Sequence, residues 1–214
     1  LLLCSMGLFA ILSSTMSKNP VLPLFAESVG TPEYLIGIVA AASTIPGILV
    51  SLPAGSLSDI LGRRKVLILS GIIFASAPFL YLLVTLPWQL IIVRFYHGFA
   101  TAIFVPVANA TIAESFPKRR GEKISIFSSV TVVGRSVAPF LGGYILFATI
   151  SNYHNLYASV GIAGVTALLV AITLPRKGST KNEEHEFQQK TRGSTSFLSD
   201  WKEVIQNREV LAIG

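Results

Sequence analysis

Three cations interrupt stretches that are otherwise almost uncharged: Lys18, Arg94 and Arg135. A charge in apolar surroundings needs a partner, water or a bound ion, because burying it uncompensated is costly. Lys18 stands nine residues before Glu27, roughly 13 Å at helical rise, and Arg135 stands comparably deep, eleven residues past Ile124. Arg94 is shallower, six residues past Trp88, so snorkelling toward a surface stays open for it. His97 follows one helical turn after Arg94, either as a group that titrates near neutral pH or as a hydrogen-bonding packing residue. Bond-making chemistry has no matching set. There is no G-x-S-x-G and no Asp at depth, and His185-Glu186 would open an H-E-x-x-H metal motif but position 189 is Gln. These residues can line a site that holds a polar solute; an enzyme, a metal centre or a cofactor is not expected.

A second group of charges is tighter. Gly55-Ser56-Leu57-Ser58-Asp59-Ile60-Leu61-Gly62-Arg63-Arg64-Lys65 lies between two uncharged runs, 35–54 and 66–93. An acid at the C-terminal end of a helix meets the negative end of its dipole, so Asp59 requires a partner. The pattern has an echo: Asp59 precedes Gly62 by three residues and Arg63-Arg64-Lys65 follow, while Glu114 precedes Pro117 by three and Lys118-Arg119-Arg120 follow. The two loops read as halves of one charge cluster or as two ordinary basic loops.

The elements that must position these groups follow from hydropathy. Apolar residues make up 51% of the chain and charged ones 13%, with a mean hydropathy of +0.64, too apolar for a water-facing surface. The net charge of +6 gathers in the gaps between apolar runs, as at anionic headgroups, which argues against a nucleic-acid partner. A bilayer core of about 30 Å takes roughly 20 helical residues. Six segments qualify: Leu1 to Ala26, Leu35 to Leu57, Val66 to Leu86, Trp88 to Ala113, Ile124 to Ile150 and Leu156 to Leu174. Backbone groups in lipid must be satisfied within a segment, so all six are expected as helices. Pro20, Pro23, Pro46, Pro78, Pro106 and Pro139 fall inside them as expected kinks. The charges between these segments sort by side: every loop Lys or Arg lies on the side of the Gly55–Lys65 loop, whereas the opposite loops hold Glu27, Glu33 and His154. That asymmetry predicts a cytoplasmic N-terminus and a cytoplasmic end to the sixth helix.

The spacing G-x-x-x-D-x-x-G-R-R resembles the loop between helices two and three of the major facilitator superfamily, with Ile60 where that family usually has Arg or Lys. Leu90-x-x-x-Arg94-Phe95-Tyr96-His97-Gly98-Phe99-Ala100 is similar to its helix-four signature, with His97 where Gln is frequent. Gly134, Ala138, Pro139, Gly142 and Gly143 resemble its helix-five antiporter motif, with Ala138 in place of Gly; generic small-residue packing is the other reading. The resemblance implies an all-α integral membrane fold: an N-terminal six-transmembrane-helix bundle of two inverted three-helix repeats, facing a second bundle. It implies a cytoplasmic latch of Gly55, Asp59, Gly62, Arg63, Arg64 and Glu114, in which Arg63 pairs with Glu114, Asp59 faces a helix of the second half, and Gly55 permits close helix approach. It further implies a cavity lined or tuned by Lys18, Arg94, His97 and Arg135, a small-molecule substrate, protons as coupling ion, and alternating access in the cell membrane. Drug efflux by antiport, movement of an organic anion, and a transporter-like sensor all remain open.

Residues 1–174 are thus expected as the bundle, 175–207 as a polar cytoplasmic linker with an amphipathic patch near Phe197 to Ile205, and 208–214 as the start of a seventh helix. The chain begins without Met and stops inside an apolar run, so a longer protein is expected. Cys4, the lone cysteine, reads as an ordinary helix residue.

Overall fold

The computed structural model describes residues 1–175, and every regular element among them is helical. In chain order these are α1 (Leu2–Met16), α2 (Val21–Ser28), α3 (Glu33–Ala42), α4 (Thr44–Leu61), α5 (Arg63–Tyr81), α6 (Pro87–Ser115), α7 (Arg120–Ala148) and α8 (Tyr153–Thr173), with a single 3-10 turn at Pro117–Arg119. The expected linker and seventh helix lie outside the described residues.

Two of the six apolar segments are broken, which hydropathy did not anticipate. α1 ends at Met16 and α3 at Ala42, each four residues before a proline, Pro20 and Pro46. Proline has no N–H to return to the carbonyl four residues back, and its ring crowds that carbonyl. Pro53, Pro78, Pro106 and Pro139 are instead carried inside continuous helices, so proline weakens the ladder without fixing where it parts. Helices also outrun the apolar segments at several charged ends: α4 continues to Leu61 and α7 begins at Arg120. Hydropathy marks the lipid, whereas the hydrogen-bond ladder continues into the headgroups. At Gly62 the chain does turn, with φ +91°, a conformation that glycine adopts without a Cβ penalty.

Among the described residues, five helices are long and apolar enough to cross a membrane: 33–51, 63–81, 87–115, 117–148 and 153–173, the first of these running through the α3–α4 break. α1 is apolar but shorter, at 15 residues. The outward surface is rich in large apolar side chains such as Ile48, Leu49, Phe140, Tyr144 and Phe147, as expected where lipid is the solvent.

The principal packing partners are α1 with α7, α1 with α8, α3 and α4 with α6, α5 with α6, and α5 with α8. Exchange the first segment with the fourth, the second with the fifth and the third with the sixth, and this set maps onto itself. With three crossings per unit, the units are inverted repeats. Glycines fix the registers. Gly7 packs on Phe127, Gly134 on Leu8 and Gly142 on Met16, so α1 and α7 run parallel; Gly71 packs on Leu168, Gly164 on Phe74 and Gly161 on Phe79, so α5 and α8 run antiparallel. Two apolar clusters fill the interior. One includes Met6, Phe74, Phe104 and Phe127, the other Phe25, Tyr81, Leu156 and Tyr157.

Candidate functional site

Between the two apolar clusters lies a polar layer centred on Arg94. This side chain is only 2% exposed, so it does not take the snorkelling conformation that the sequence left open. Its Nη2 donates to Ser43 Oγ at 2.8 Å and to the Ala40 carbonyl at 3.5 Å, and its Nη1 donates to the Tyr81 hydroxyl at 3.4 Å. Ser43 is the residue between α3 and α4. Arg94 therefore bonds polar groups at the α3–α4 break, the Ala40 carbonyl and the Ser43 hydroxyl, as side chains of neighbouring helices do where a broken helix is tolerated in lipid. The next turn of α6 closes the joint: a Cβ on Gly98 would stand 2.5 Å from both Pro46 Cγ and the Ser43 carbonyl oxygen.

His97 is equally buried, at 1%. Its ring meets Phe74 and Tyr81 edge-on, and Nδ1 lies 3.5 Å from the Tyr81 hydroxyl. Tyr81 stacks flat on Tyr157, centroids 4.5 Å apart. These contacts are those of a packing residue. Arg94 Nε, His97 Nε2 and the Tyr157 hydroxyl have no hydrogen-bond partner among the described residues.

Lys18 and Arg135 sit differently. Lys18 occupies the break between α1 and α2, partly exposed, where its N–H donates to the Thr15 carbonyl and its carbonyl accepts from Leu22 N–H. Arg135 is exposed, one residue past the middle of α7. Its neighbours Gly134, Ala138 and Gly142 form the face that packs against α1, with Ala138 fully buried. Gly143 has nothing within 4 Å of a built Cβ, so it takes no part in that seam. Pro139 lies within α7 without interrupting it.

At the end of the bundle that holds the basic loops, Arg63 joins two helix ends. Nη2 is 2.8 Å from Asp59 Oδ1 and Nε is 2.5 Å from Glu114 Oε2. Both acids stand in the last turn of their helices, α4 and α6, against the unfavourable dipole end, and one guanidinium at the start of α5 offsets both. Arg63 Nη1 also donates to Ser58 Oγ at 3.4 Å, and that hydroxyl donates to the Gly55 carbonyl at 2.6 Å. A Cβ on Gly55 would meet nothing within 4 Å, so the close approach expected there is not made by any described residue. Arg64 points away from the acids. It donates through Nε to the Leu174 carbonyl and through Nη2 to the Ile172 carbonyl, both at 2.6 Å, capping the C-terminal end of α8. In the echo loop, Arg119 and Lys123 both pair with Glu122.

Sequence reading missed Ser43, Tyr81 and Tyr157. Ser43 carried one usable signal, a hydroxyl three residues before a proline in an apolar run. Tyr81 and Tyr157 carried none, since aromatic residues are common throughout such helices.

The profile of the Major Facilitator Superfamily matches residues 3–214. Among curated proteins, an uncharacterised MFS-type transporter of Methanocaldococcus jannaschii is 26% identical over 207 residues, covering 90% of this chain and 53% of that protein. A second such transporter, from Bacillus subtilis, is 27% identical over 157 residues, 72% of this chain and 39% of that one. The quinolone resistance protein NorA of Staphylococcus aureus is 24% identical over 165 residues, 75% of this chain and 42% of its own length. The chain thus spans about half or less of the curated relatives it matches. A family match over nearly the whole chain, on helices of membrane length arranged as inverted repeats, establishes that this protein belongs to the Major Facilitator Superfamily, a family of multi-pass membrane transporters and not of enzymes.

Proposed function

We propose that the chain forms one six-helix half of a secondary active transporter that exports a small organic solute across the cell membrane by alternating access, driven by a proton gradient. In this reading the basic loops face the cytoplasm and a second six-helix half completes the cavity. The observation that carries it is the Asp59–Arg63–Glu114 junction. It ties the ends of three helices at one surface, with side chains 23–45% exposed. Ion pairs exposed to this degree contribute about 0.2–1 kcal/mol each. Such a contact can bias one state and still release, which is what a latch requires. Asp59 would also face a helix of the second half. The name of NorA, a quinolone resistance protein, supports efflux and supplies a probe.

The test is flux of a quinolone in inside-out vesicles carrying the full-length protein, with and without a pH gradient. Asp59→Asn should remain in the membrane while transport falls by up to about fivefold, the effect expected when one such contact is lost. Normal flux in that variant would remove the latch from the mechanism. Flux indifferent to the gradient would remove proton coupling.

A further inference from the structure

The four expected cavity residues, Lys18, Arg94, His97 and Arg135, divide by burial into two pairs. Arg94 and His97 are enclosed by the described helices alone, at 2% and 1% exposure, and the donors of Arg94 are directed at the α3–α4 break and Tyr81. A solute could not reach either without opening the bundle. Lys18 is partly exposed and Arg135 exposed, and no hydrogen bond or ion pair is made by either side chain among the described residues. Their positions are tied together by the parallel α1–α7 seam. Gly134 packs on Leu8 and Leu12, and Gly142 on Met16 and Val21, so Arg135, seven residues before Gly142, stands about 10 Å, or two helical turns, below the level of the break that contains Lys18. Lys18 lies within electrostatic reach of both Arg135 and Arg94.

The acids are elsewhere. All five among residues 1–175, namely Glu27, Glu33, Asp59, Glu114 and Glu122, stand within three residues of a helix end. The middle of this bundle is therefore uniformly positive. Its buried cation is bonded within the fold, and the other two stand about two turns apart along the α1–α7 seam.

We propose that the solute carries an oxyanion, a carboxylate, sulfonate or phosphate group, received between Lys18 and Arg135. The guanidinium of Arg135 can fork onto two oxygens while the Lys18 ammonium serves as a point charge. This assignment rests on the transporter reading for its word "solute", but the charge of the site can be measured without any transport.

The experiment uses the full-length protein in membrane vesicles, with every native cysteine, Cys4 among them, replaced by serine. In Arg135→Cys the remaining Lys18 sets the local potential; in Lys18→Cys the remaining Arg135 does. Each thiol is reacted with an anionic and a cationic methanethiosulfonate, and the rates are normalised to those with a small thiol in solution. The anionic reagent should react roughly tenfold faster at either position, the size of effect one unscreened charge exerts at such a distance. Adding Lys18→Gln to Arg135→Cys, or Arg135→Gln to Lys18→Cys, should reduce that preference several-fold. Equal rates, a cationic preference, or no reaction with either reagent would overturn the oxyanion site; the two reciprocal positions guard against one variant failing to fold. Labelling as expected in a protein that moves no solute would keep the site and refute transport. Pumping of a cationic dye alongside cationic-preferring labels would do the reverse.

Discussion

Arg94 shows how a costly residue is retained. Its charge is buried among neutral acceptors, and the bond to Ser43 Oγ is the shortest it makes. A hydrogen bond to a charged group contributes about 1.5–3 kcal/mol. Ser43→Ala should therefore lower stability by about that amount, read as earlier thermal unfolding in detergent. Arg94→Lys should do at least as much, because an ammonium cannot span Ser43, Ala40 and Tyr81 at once. A silent Ser43→Ala would mean the break is held by packing alone. The sequence marked Arg94 and His97 as polar groups in an apolar segment, and there its information stopped. Whether such a side chain faces a cavity, lipid or a neighbouring backbone depends on which helix lies opposite, and that helix is about fifty residues away in the chain.

Elements are set against one another by glycines, and the sequence does not rank them. Gly98 and Gly143 look alike as small residues in apolar helices, yet one is clamped and the other open. Gly98→Ala would force its Cβ into the Ser43 carbonyl and Pro46, an overpacking expected to cost about 1–3 kcal/mol. Gly143→Ala should be neutral or slightly stabilising, since alanine favours a helix by up to about 1 kcal/mol over glycine. Unfolding midpoints of the two variants check this directly; equal effects would refute the α4–α6 contact. The same ambiguity covers proline. Of the prolines expected as kinks, only Pro20 and Pro46 accompany breaks, and both breaks hold or contact a cation, Lys18 within one and Arg94 against the other.

For the whole molecule, orientation is the prediction on which the proposed latch and cavity depend. Amine-reactive reagent applied outside intact cells should leave Lys65 and Lys118 unmodified until the membrane is permeabilised; modification beforehand would invert the bundle and place the junction at Arg63 on the wrong side. The sequence by itself determined that helices cross a membrane, how many apolar segments there are, and which loops carry the cations. Those are properties of composition summed along a segment, and lipid reads them without reference to neighbours. It also marked Asp59 as an acid that requires a partner and Glu114 as its echo, while the pairing of Arg63 with Glu114 was implied by the family resemblance and the Asp59–Arg63 pair came only with the structure. Only the tertiary structure decided that Arg64 caps α8 instead of meeting an acid, that Gly55 and Gly143 are open, and that Arg94 braces a broken helix while Arg135 stands exposed. Each of those depends on what lies across a helix interface, where one residue's rotation of about 100° separates a buried face from an open one.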